Sequence, residues 1–312
     1  MRIGVMGAGA IGGYLAARLA AAGHELALIA RGPHLAAIRE RGLRLRSELG
    51  DVHAWPAAAT DDPHEVGPVD VLLFTVKLYD AELALDAALP MVASSTRVVT
   101  FQNGVEGTDL LVRAFGRERA VGGTAQIPAQ IVAPGEIRHP ARLARFVIGA
   151  TTGRHDDRVA EFGDALAAAG VDVSITDRIE CAIWEKFVLL AAFSGVSAVT
   201  RGSHATIRRH EATRAMLCDA VLEAVAVAAA KGVDLSPDCA ERIIQFLLEE
   251  APPEVKASQT HDLEAGRRLE LPWLSGAVVR LGREFGVPTP THEFLCAALA
   301  PYVAGAAAEA NA

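Results

Sequence analysis

Residues 1–19 read MRIGVMGAGAIGGYLAARL, and the order of residue types in this stretch decides the fold. A short apolar run, Arg2 to Met6, leads directly into a glycine-rich segment of the pattern GxGxxG, and leucines and alanines at helical spacing follow it. A strand, a glycine-rich turn and a helix in this order are typical of the first unit of a dinucleotide-binding βαβ fold. The start of the chain therefore predicts a phosphate-binding turn between a strand and a helix.

Each glycine of this turn has its own predicted task. Gly7 permits the tight turn, Gly9 lets the backbone approach a diphosphate, and Gly12 lets the helix pack closely on the strand. Amides at the start of the helix, together with the positive end of its dipole, then attract the diphosphate. The predicted cofactor-binding segment is Gly7, Ala8, Gly9, Ala10, Ile11 and Gly12. A glycine-rich turn without a ligand is the alternative, which the flanking strand and helix disfavour.

The rest of the chain divides into two parts with different patterns. Through residues 1–177, apolar runs alternate with helical patterns, and the clearest run is VDVLLFTV at Val69 to Val76. A continuous apolar run is typical of a parallel strand covered on both faces, and the alternation is typical of βαβ units. Residues 178–312 carry long helical patterns with no strand signal. The sequence therefore predicts an α/β fold, with an N-terminal Rossmann-type dinucleotide-binding domain and an all-helical C-terminal domain.

Composition and charge disfavour several classes of protein. The formal net charge is −8 and the 30 basic residues are dispersed, which argues against nucleic acid or an anionic membrane as the main partner. The sequence has no recognisable secretory signal or membrane span. The four cysteines form no CxxC pair and the ten histidines no HExxH motif, so no metal site is expected. We expect a cytoplasmic protein with reduced thiols, whose alanine-rich helices could pack a homodimer.

The residue after the second predicted strand indicates which nicotinamide cofactor binds. In NAD enzymes an acidic residue about 20 positions after the glycines takes the ribose 2′-hydroxyl. Here the strand ends Ile29-Ala30-Arg31-Gly32, with no carboxylate in that place. The planar guanidinium of Arg31 suits a 2′-phosphate, although an ordinary surface arginine would fit the same pattern. The sequence favours NADP over NAD.

With these residues placed, the chain resembles the ketopantoate reductase family (2-dehydropantoate 2-reductases) along nearly its whole length. The motifs that carry the resemblance share their order and spacing with the family. They are the opening glycine-rich segment, Arg31, Val76-Lys77, Gln102-Asn103-Gly104, Trp184-Glu185-Lys186, Asp262-Leu263-Glu264-Ala265-Gly266-Arg267-Arg268 with Glu270, and Gly286-Val287-Pro288-Thr289-Pro290. The resemblance implies NADPH-dependent reduction of a 2-oxo acid to a 2-hydroxy acid, such as ketopantoate to pantoate in pantothenate biosynthesis.

The resemblance also implies roles for five side chains. Lys186 matches the family's catalytic lysine, which donates a proton to the carbonyl oxygen and stabilises its charge, and Glu270 matches the active-site glutamate that binds substrate and helps to position the lysine. Asn103 matches an asparagine that contacts cofactor and substrate, and Lys77 matches a lysine near the cofactor. Ser258 matches a serine that binds the substrate carboxylate. Taken without the family, Lys186 and Glu270 would be interpreted as solvated charges at helix starts, Asn103 as a turn residue and Ser258 as a helix cap.

Three positions depart from the family's pattern. Members that reduce ketopantoate usually carry asparagines four and eight residues after the catalytic lysine, where this chain has Leu190 and Ser194. Val255 replaces another asparagine, three residues before the matched serine. The residues for the redox step are therefore retained, whereas part of the polar substrate pocket is not.

Three alternatives to a ketopantoate reductase stay open at this point. The first is a reductase of a different, more apolar 2-oxo acid, which the three substitutions favour. The second is a β-hydroxyacid or opine-type dehydrogenase, since such enzymes share a Rossmann half, a helical half and an active-site lysine. The third is a non-catalytic NADPH-binding sensor, which would bind the cofactor without turnover.

Overall fold

A computed structural model describes residues 1–306 of the chain, which fold into two compact units. The first unit comprises Met1–Gln102 and Glu106–Ile179, and the second comprises Asn103–Val105 together with the chain from Glu180 onward. The second predicted domain was drawn to residue 312, and residues 307–312 lie outside those described. The short segment Asn103–Val105 belongs to the second unit although the residues on either side belong to the first, which the sequence pattern did not indicate.

The strands of the first unit form two sheets. In chain order they are β1 (Arg2–Met6), β2 (Glu25–Ile29), β3 (Leu43–Ser47), β4 (Val52–Ala54), β5 (Ala58–Thr60), β6 (Val71–Phe74), β7 (Arg97–Thr100), β8 (Ala120–Gln126), β9 (Gln130–Ala133), β10 (Glu136–His139), β11 (Arg145–Ala150) and β12 (Asp172–Ile175). The helices of this unit are α1 (Ala10–Ala21), α2 (Gly32–Arg41), α3 (Ala81–Ala88), α4 (Glu106–Phe115) and α5 (Asp157–Ala168).

The main sheet has eight strands in the order β12-β11-β8-β7-β6-β1-β2-β5. All neighbours are parallel except β8 and β11, which pair antiparallel. All four residues of β6 are fully buried, as the continuous apolar run predicted. Parallel strands end at the same edge, so the residues after β1, β6 and β7 meet there. The predicted α/β class with a parallel sheet and a helical C-terminal region is confirmed.

A second sheet, which the sequence did not reveal, covers the outer side of α1. Its four strands have the order β4-β3-β10-β9. Tyr14 of α1 is fully buried, and its ring centroid lies 5.2 Å from that of His139 on β10 and 6.2 Å from that of Phe146 on β11. Since α1 is covered by strands on two sides, its sequence is apolar all round rather than on one stripe. A turn at Pro134-Gly135 joins β9 to β10.

The second unit is built from helices. They are α6 (Ile179–Thr200), α7 (His204–Arg209), α8 (Glu211–Lys231), α9 (Cys239–Gln245), α10 (Ser258–Glu264), α11 (Ser275–Phe285) and α12 (Pro290–Leu299). Helices α8 and α11 end at glycines in the left-handed conformation, Gly232 with φ 88° and Gly286 with φ 72°. The short helices α7 and α10 were missed because six or seven residues carry too little periodicity.

Helix α6 is the one described helix that is long and apolar enough to cross a membrane by length and composition. Its most apolar 18-residue window is 67% buried within the protein. A core helix of a globular protein has the same property, and the length of α6 by itself is weak evidence for a membrane span.

Close packing of α1 on the sheet requires a glycine at position 12. A Cβ atom on Gly12 would overlap Thr75 Oγ1 and would lie 2.5 Å from the carbonyl oxygen of Gly7 and 2.9 Å from Val5. Gly9 is different, because a Cβ atom there would meet only the carbonyl oxygen of Gly7, at 4.0 Å. Gly12 is therefore needed for close packing, whereas Gly9 leaves open space beside the turn.

We expect Gly12→Ala to lower the free energy of unfolding by about 1–3 kcal/mol, because inserting a methyl group into packed structure forces its neighbours apart. The matched change Gly9→Ala should alter it by less than about 0.5 kcal/mol, since it meets no packed atom. Chemical denaturation of both variants checks the contrast. Equal losses in the two variants would show that Gly12 is not packed as described.

Candidate active site and dinucleotide loop

The glycine-rich turn between β1 and α1 is fixed to the neighbouring strand end. Gly7 has φ 94°, a conformation that favours glycine, and a Cβ atom there would lie 2.9 Å from the amide nitrogen of Val76. Thr75 Oγ1 donates a hydrogen bond of 2.8 Å to the carbonyl oxygen of Gly7. On the other side, the amides of Gly7 and Ala8 both donate to the carbonyl oxygen of Ile29, at 3.1 Å. The turn is therefore held from β2 and from β6.

The start of α1 fits a diphosphate group. The first helical hydrogen bond runs from the Gly13 amide to the carbonyl oxygen of Gly9 at 2.7 Å, so the amides of residues 10–12 precede it. Within residues 1–306, no side chain caps these amides. The open space beside Gly9 is the place that a diphosphate needs in order to reach the amides, and an added Cβ atom would fill it.

Arg31 lies where the sequence predicted it, directly after β2. It is exposed and forms the N-cap of α2, with φ −135° and ψ 161°. The amide of Ala30 donates to the carbonyl oxygen of Thr60 at 3.0 Å, which continues the pairing of β2 with β5 up to Arg31. An exposed guanidinium beside the free amide end of a short helix can pair with a phosphate group.

The ends of β6 and β7 are joined by a glutamine. Gln102 Nε2 donates a hydrogen bond of 2.7 Å to the carbonyl oxygen of Val76, and Gln102 Oε1 accepts one of 3.0 Å from Thr100 Oγ1. Lys77, the residue after Val76, is exposed. Gln102 belongs to one of the sequence motifs, but the sequence predicted no role for its side chain. The two hydrogen bonds of Gln102 hold the chain segment just before Asn103 in place.

In the second unit, Lys186 of α6 contacts Asn103. Lys186 Nζ donates a hydrogen bond of 2.9 Å to Asn103 Oδ1. The lysine is half-buried, and desolvation lowers the pKa of its amine to about 8, while the negative charge of Glu270 opposes the shift. A lysine whose pKa is near neutrality can both donate and accept a proton at physiological pH.

Glu270 is buried, with 7% of its surface exposed. It lies just before a short 3₁₀ turn, Leu271–Trp273, and its neighbours Leu269 and Leu271 belong to an apolar cluster. A carboxylate rarely occupies such a position unless it is paired, and its charge acts on Lys186. The alternative that Lys186 and Glu270 are solvated charges at helix starts does not hold, since Lys186 bonds Asn103 and Glu270 is buried. The structure thus brings together Asn103, Lys186 and Glu270, which lie far apart in sequence.

The positions that depart from the family pattern differ in their exposure. Leu190 is one turn after Lys186 on α6 and is half-buried. Ser194, one turn further, is fully buried, and its hydroxyl has no hydrogen-bond partner among the described residues. Val255 is 45% exposed, and Ser258, the first residue of α10, is also exposed.

An aromatic pair that the sequence did not predict joins α6 to α7. The rings of Phe193 and His204 stack with centroids 3.8 Å apart and an interplanar angle of 3°. Both residues are buried, and burial lowers the pKa of His204 to about 4, so the ring is neutral at pH 7. Phe193 is seven positions after Lys186, hence two turns along one face of α6. A lone histidine and a lone phenylalanine give no sequence signal for such a pair.

Comparisons with known proteins agree along most of the chain. The family model "Ketopantoate reductase PanE/ApbA" matches residues 3–153, and "Ketopantoate reductase PanE/ApbA C terminal" matches residues 178–303. A 2-dehydropantoate 2-reductase from Mesorhizobium japonicum is 36% identical, over 93% of this chain and 94% of the relative. The crystal structure of a PanE/ApbA family ketopantoate reductase from Ralstonia eutropha has a TM-score of 0.88 at 35% identity, covering 97% of this chain and 98% of that one.

A more distant structure shares the fold alone. The ternary structure of D-mandelate dehydrogenase with NADH and anilino(oxo)acetate has a TM-score of 0.87 at 22% identity, covering 97% of this chain and 98% of that one. The predictions of the family and of an NADP-dependent oxidoreductase acting on a CH–OH group are confirmed. By its sequence and by its fold, the chain belongs to the ketopantoate reductase family.

Proposed function

We propose that this chain reduces a 2-oxo acid to a 2-hydroxy acid with NADPH, and that Lys186, Asn103 and Glu270 form its active site. The observation that carries the proposal is the hydrogen bond from Lys186 Nζ to Asn103 Oδ1 beside the buried Glu270. When bound, NADPH supplies the hydride that the ketone carbon accepts. The chain has to supply a proton for the ketone oxygen, a partner for the developing negative charge and a site for the carboxylate.

Lys186 supplies the proton and the positive charge. With a pKa of about 8, most of its amines are protonated at neutral pH. An ammonium group has three N–H donors, and the bond to Asn103 directs one of them, so the others can point at a ketone oxygen. As negative charge develops on that oxygen, the ammonium stabilises it and then transfers a proton. Asn103 fixes the direction of the donor, and the carboxylate of Glu270 keeps the amine protonated.

The first unit supplies the cofactor contacts. The amides at the start of α1 receive the diphosphate, and the space beside Gly9 admits it. Arg31 pairs with the 2′-phosphate, and Lys77, at the end of β6, adds positive charge at the same edge of the sheet. Ser258 binds the substrate carboxylate. We also propose a cytoplasmic location, which the lack of a disulfide among the cysteines of residues 1–306 supports.

A more apolar 2-oxo acid is the substrate class that we favour over ketopantoate. Leucine at position 190 offers no hydrogen bond, and the hydroxyl of Ser194 is buried. A pocket that lacks amide donors discriminates weakly in favour of a substrate hydroxyl.

Replacement of the lysine tests the proton donor. Lys186→Ala should lower kcat by roughly 10²- to 10⁴-fold, the contribution of a positioned general acid, and should leave the Kd for NADPH near that of the wild type. Lys231→Ala, which removes an ion pair to Glu180 on the same unit, is the matched control and should keep kcat within about twofold. Steady-state kinetics of the two variants give the values of kcat. Normal turnover by a folded Lys186→Ala enzyme would show that Lys186 is not the proton donor.

The pH dependence follows from the lowered pKa of Lys186. Reduction needs the ammonium, so kcat/KM for the 2-oxo acid should be level below about pH 8 and fall about tenfold per pH unit above it. Oxidation of the 2-hydroxy acid needs the neutral amine and should rise through the same range. A reduction rate that stays level up to pH 10 would contradict this assignment.

Arg31 should account for the choice of NADPH. A charge-assisted hydrogen bond contributes about 1.5–3 kcal/mol, so Arg31→Ala should lower kcat/KM for NADPH by roughly tenfold to 150-fold. Use of NADH should change little. The control is Arg41→Ala at the end of α2, an exposed arginine of the same helix. Equal use of both cofactors by the wild type would overturn the role of Arg31.

A panel of 2-oxo acids tests the proposed function itself. With NADPH, kcat/KM for branched and aromatic 2-oxo acids should exceed that for ketopantoate, and the double substitution Leu190→Asn with Val255→Asn should raise the relative rate for ketopantoate. If ketopantoate is preferred a hundredfold or more by the wild type, the substitutions are neutral for specificity. Binding of NADPH without turnover of any substrate would favour a sensor instead.

A further inference from the structure

A histidine next to the cofactor loop uses both of its ring nitrogens. His34 lies in the first turn of α2, three residues after Arg31. Its Nε2 is 2.8 Å from the carbonyl oxygen of Ala8, and its Nδ1 is 3.0 Å from the amide nitrogen of Gly135. A carbonyl oxygen only accepts and an amide only donates, so the proton is on Nε2 and Nδ1 is bare. His34 is therefore a neutral imidazole that donates to one backbone segment and accepts from another.

The two bonds join three segments of the first unit. Ala8 lies inside the glycine-rich turn, Gly135 lies in the turn between β9 and β10, and the imidazole comes from α2. Ala8 is buried, and its amide already donates to the carbonyl oxygen of Ile29. With the bond from His34 to its carbonyl oxygen, Ala8 is held at both polar backbone atoms. Nothing in the GxGxxG pattern itself holds this carbonyl oxygen.

The orientation of Ala8 matters because Gly9 follows it. Gly9 opens α1, and the amides that precede the first helical hydrogen bond come immediately after it. A turn whose peptide planes are fixed before the ligand arrives loses less conformational freedom on binding. Since His34 and Arg31 are on the same helix start, one ring also fixes the distance between the diphosphate turn and the 2′-phosphate residue.

We propose that His34 is a positioning residue for NADPH, which acts through its hydrogen bond to the Ala8 carbonyl oxygen. This inference rests on the proposed function, in which the turn holds the diphosphate of NADPH. His34 is not itself a phosphate ligand, because both nitrogens are engaged by backbone groups. Desolvation lowers the pKa of the ring, which favours the neutral form that the geometry requires.

Two conservative variants separate the two hydrogen bonds. In His34→Gln the terminal amide reaches the position of Nε2 and can still donate to Ala8. In His34→Asn the shorter amide reaches only the position of Nδ1 and can still accept from Gly135. His34→Ala removes both bonds. The three variants together distinguish the bond to the cofactor turn from the bond to the β9–β10 turn.

The measurement is the Kd for NADPH of the full-length protein by fluorescence titration, with the melting temperature of each variant recorded beside it. We expect His34→Gln to bind within about threefold of the wild type, and His34→Asn and His34→Ala to bind roughly threefold to tenfold more weakly, the value of one net hydrogen bond. The loss should appear in the KM for NADPH more than in kcat. A merely structural role would instead follow the melting temperatures.

Several results would overturn the inference. If His34→Asn binds NADPH like the wild type and His34→Gln does not, the bond to Gly135 is the important one. If all three variants bind like the wild type, His34 has no effect on the cofactor, and the proposed function is untouched. If the wild type itself does not bind NADPH, the proposed function fails, and the inference fails with it.

Discussion

The hydrogen bond between Lys186 and Asn103 is the interaction on which the proposed chemistry depends. It joins the half-buried amine of Lys186 to Asn103. The residue before Asn103 is Gln102, and the side chain of Gln102 donates a hydrogen bond to the carbonyl oxygen of Val76. Burial alone would favour a neutral amine, and the charge of Glu270 opposes that effect, with a resulting pKa of about 8. The amide of Asn103 therefore orients the amine of Lys186, and the carboxylate of Glu270 favours its protonated form.

Both units hold hydrogen-bond donors in fixed positions, although the donor groups differ. In the first, backbone amides at the start of α1 are left without helical partners and are aimed by a turn that β2, β6 and α2 fix. In the second, the ammonium of Lys186 is aimed by Asn103. Donors fixed in advance stabilise negative charge without reorganising during binding or reaction. The specificity of such an enzyme then depends on side chains further from the donors, where this chain has Leu190 and Val255.

The sequence predicted the parts of the molecule whose signals are local. The glycine turn, the buried strand β6 and Arg31 after β2 each follow from a few neighbouring residues. The small sheet was missed because β3, β4, β9 and β10 are short, and because β3 pairs with β10 across a long sequence separation. The bonds of His34 were missed because they join residues 26 and 101 positions apart. The ring pair of Phe193 and His204 was missed because the two residues lie on different helices. The cluster of Asn103, Lys186 and Glu270 came from family resemblance, since no local pattern links residues so far apart.

A double-mutant cycle on Lys186 and Asn103 tests the central claim most directly. The quantity to measure is kcat/KM for the preferred 2-oxo acid with saturating NADPH, in the wild type, Lys186→Ala, Asn103→Ala and the double variant. If Asn103 acts by directing the ammonium, removing it from the Lys186→Ala enzyme should cost little further, and the coupling free energy should exceed about 1 kcal/mol. If the two losses multiply instead, the residues act independently, and the account of a directed proton donor is wrong.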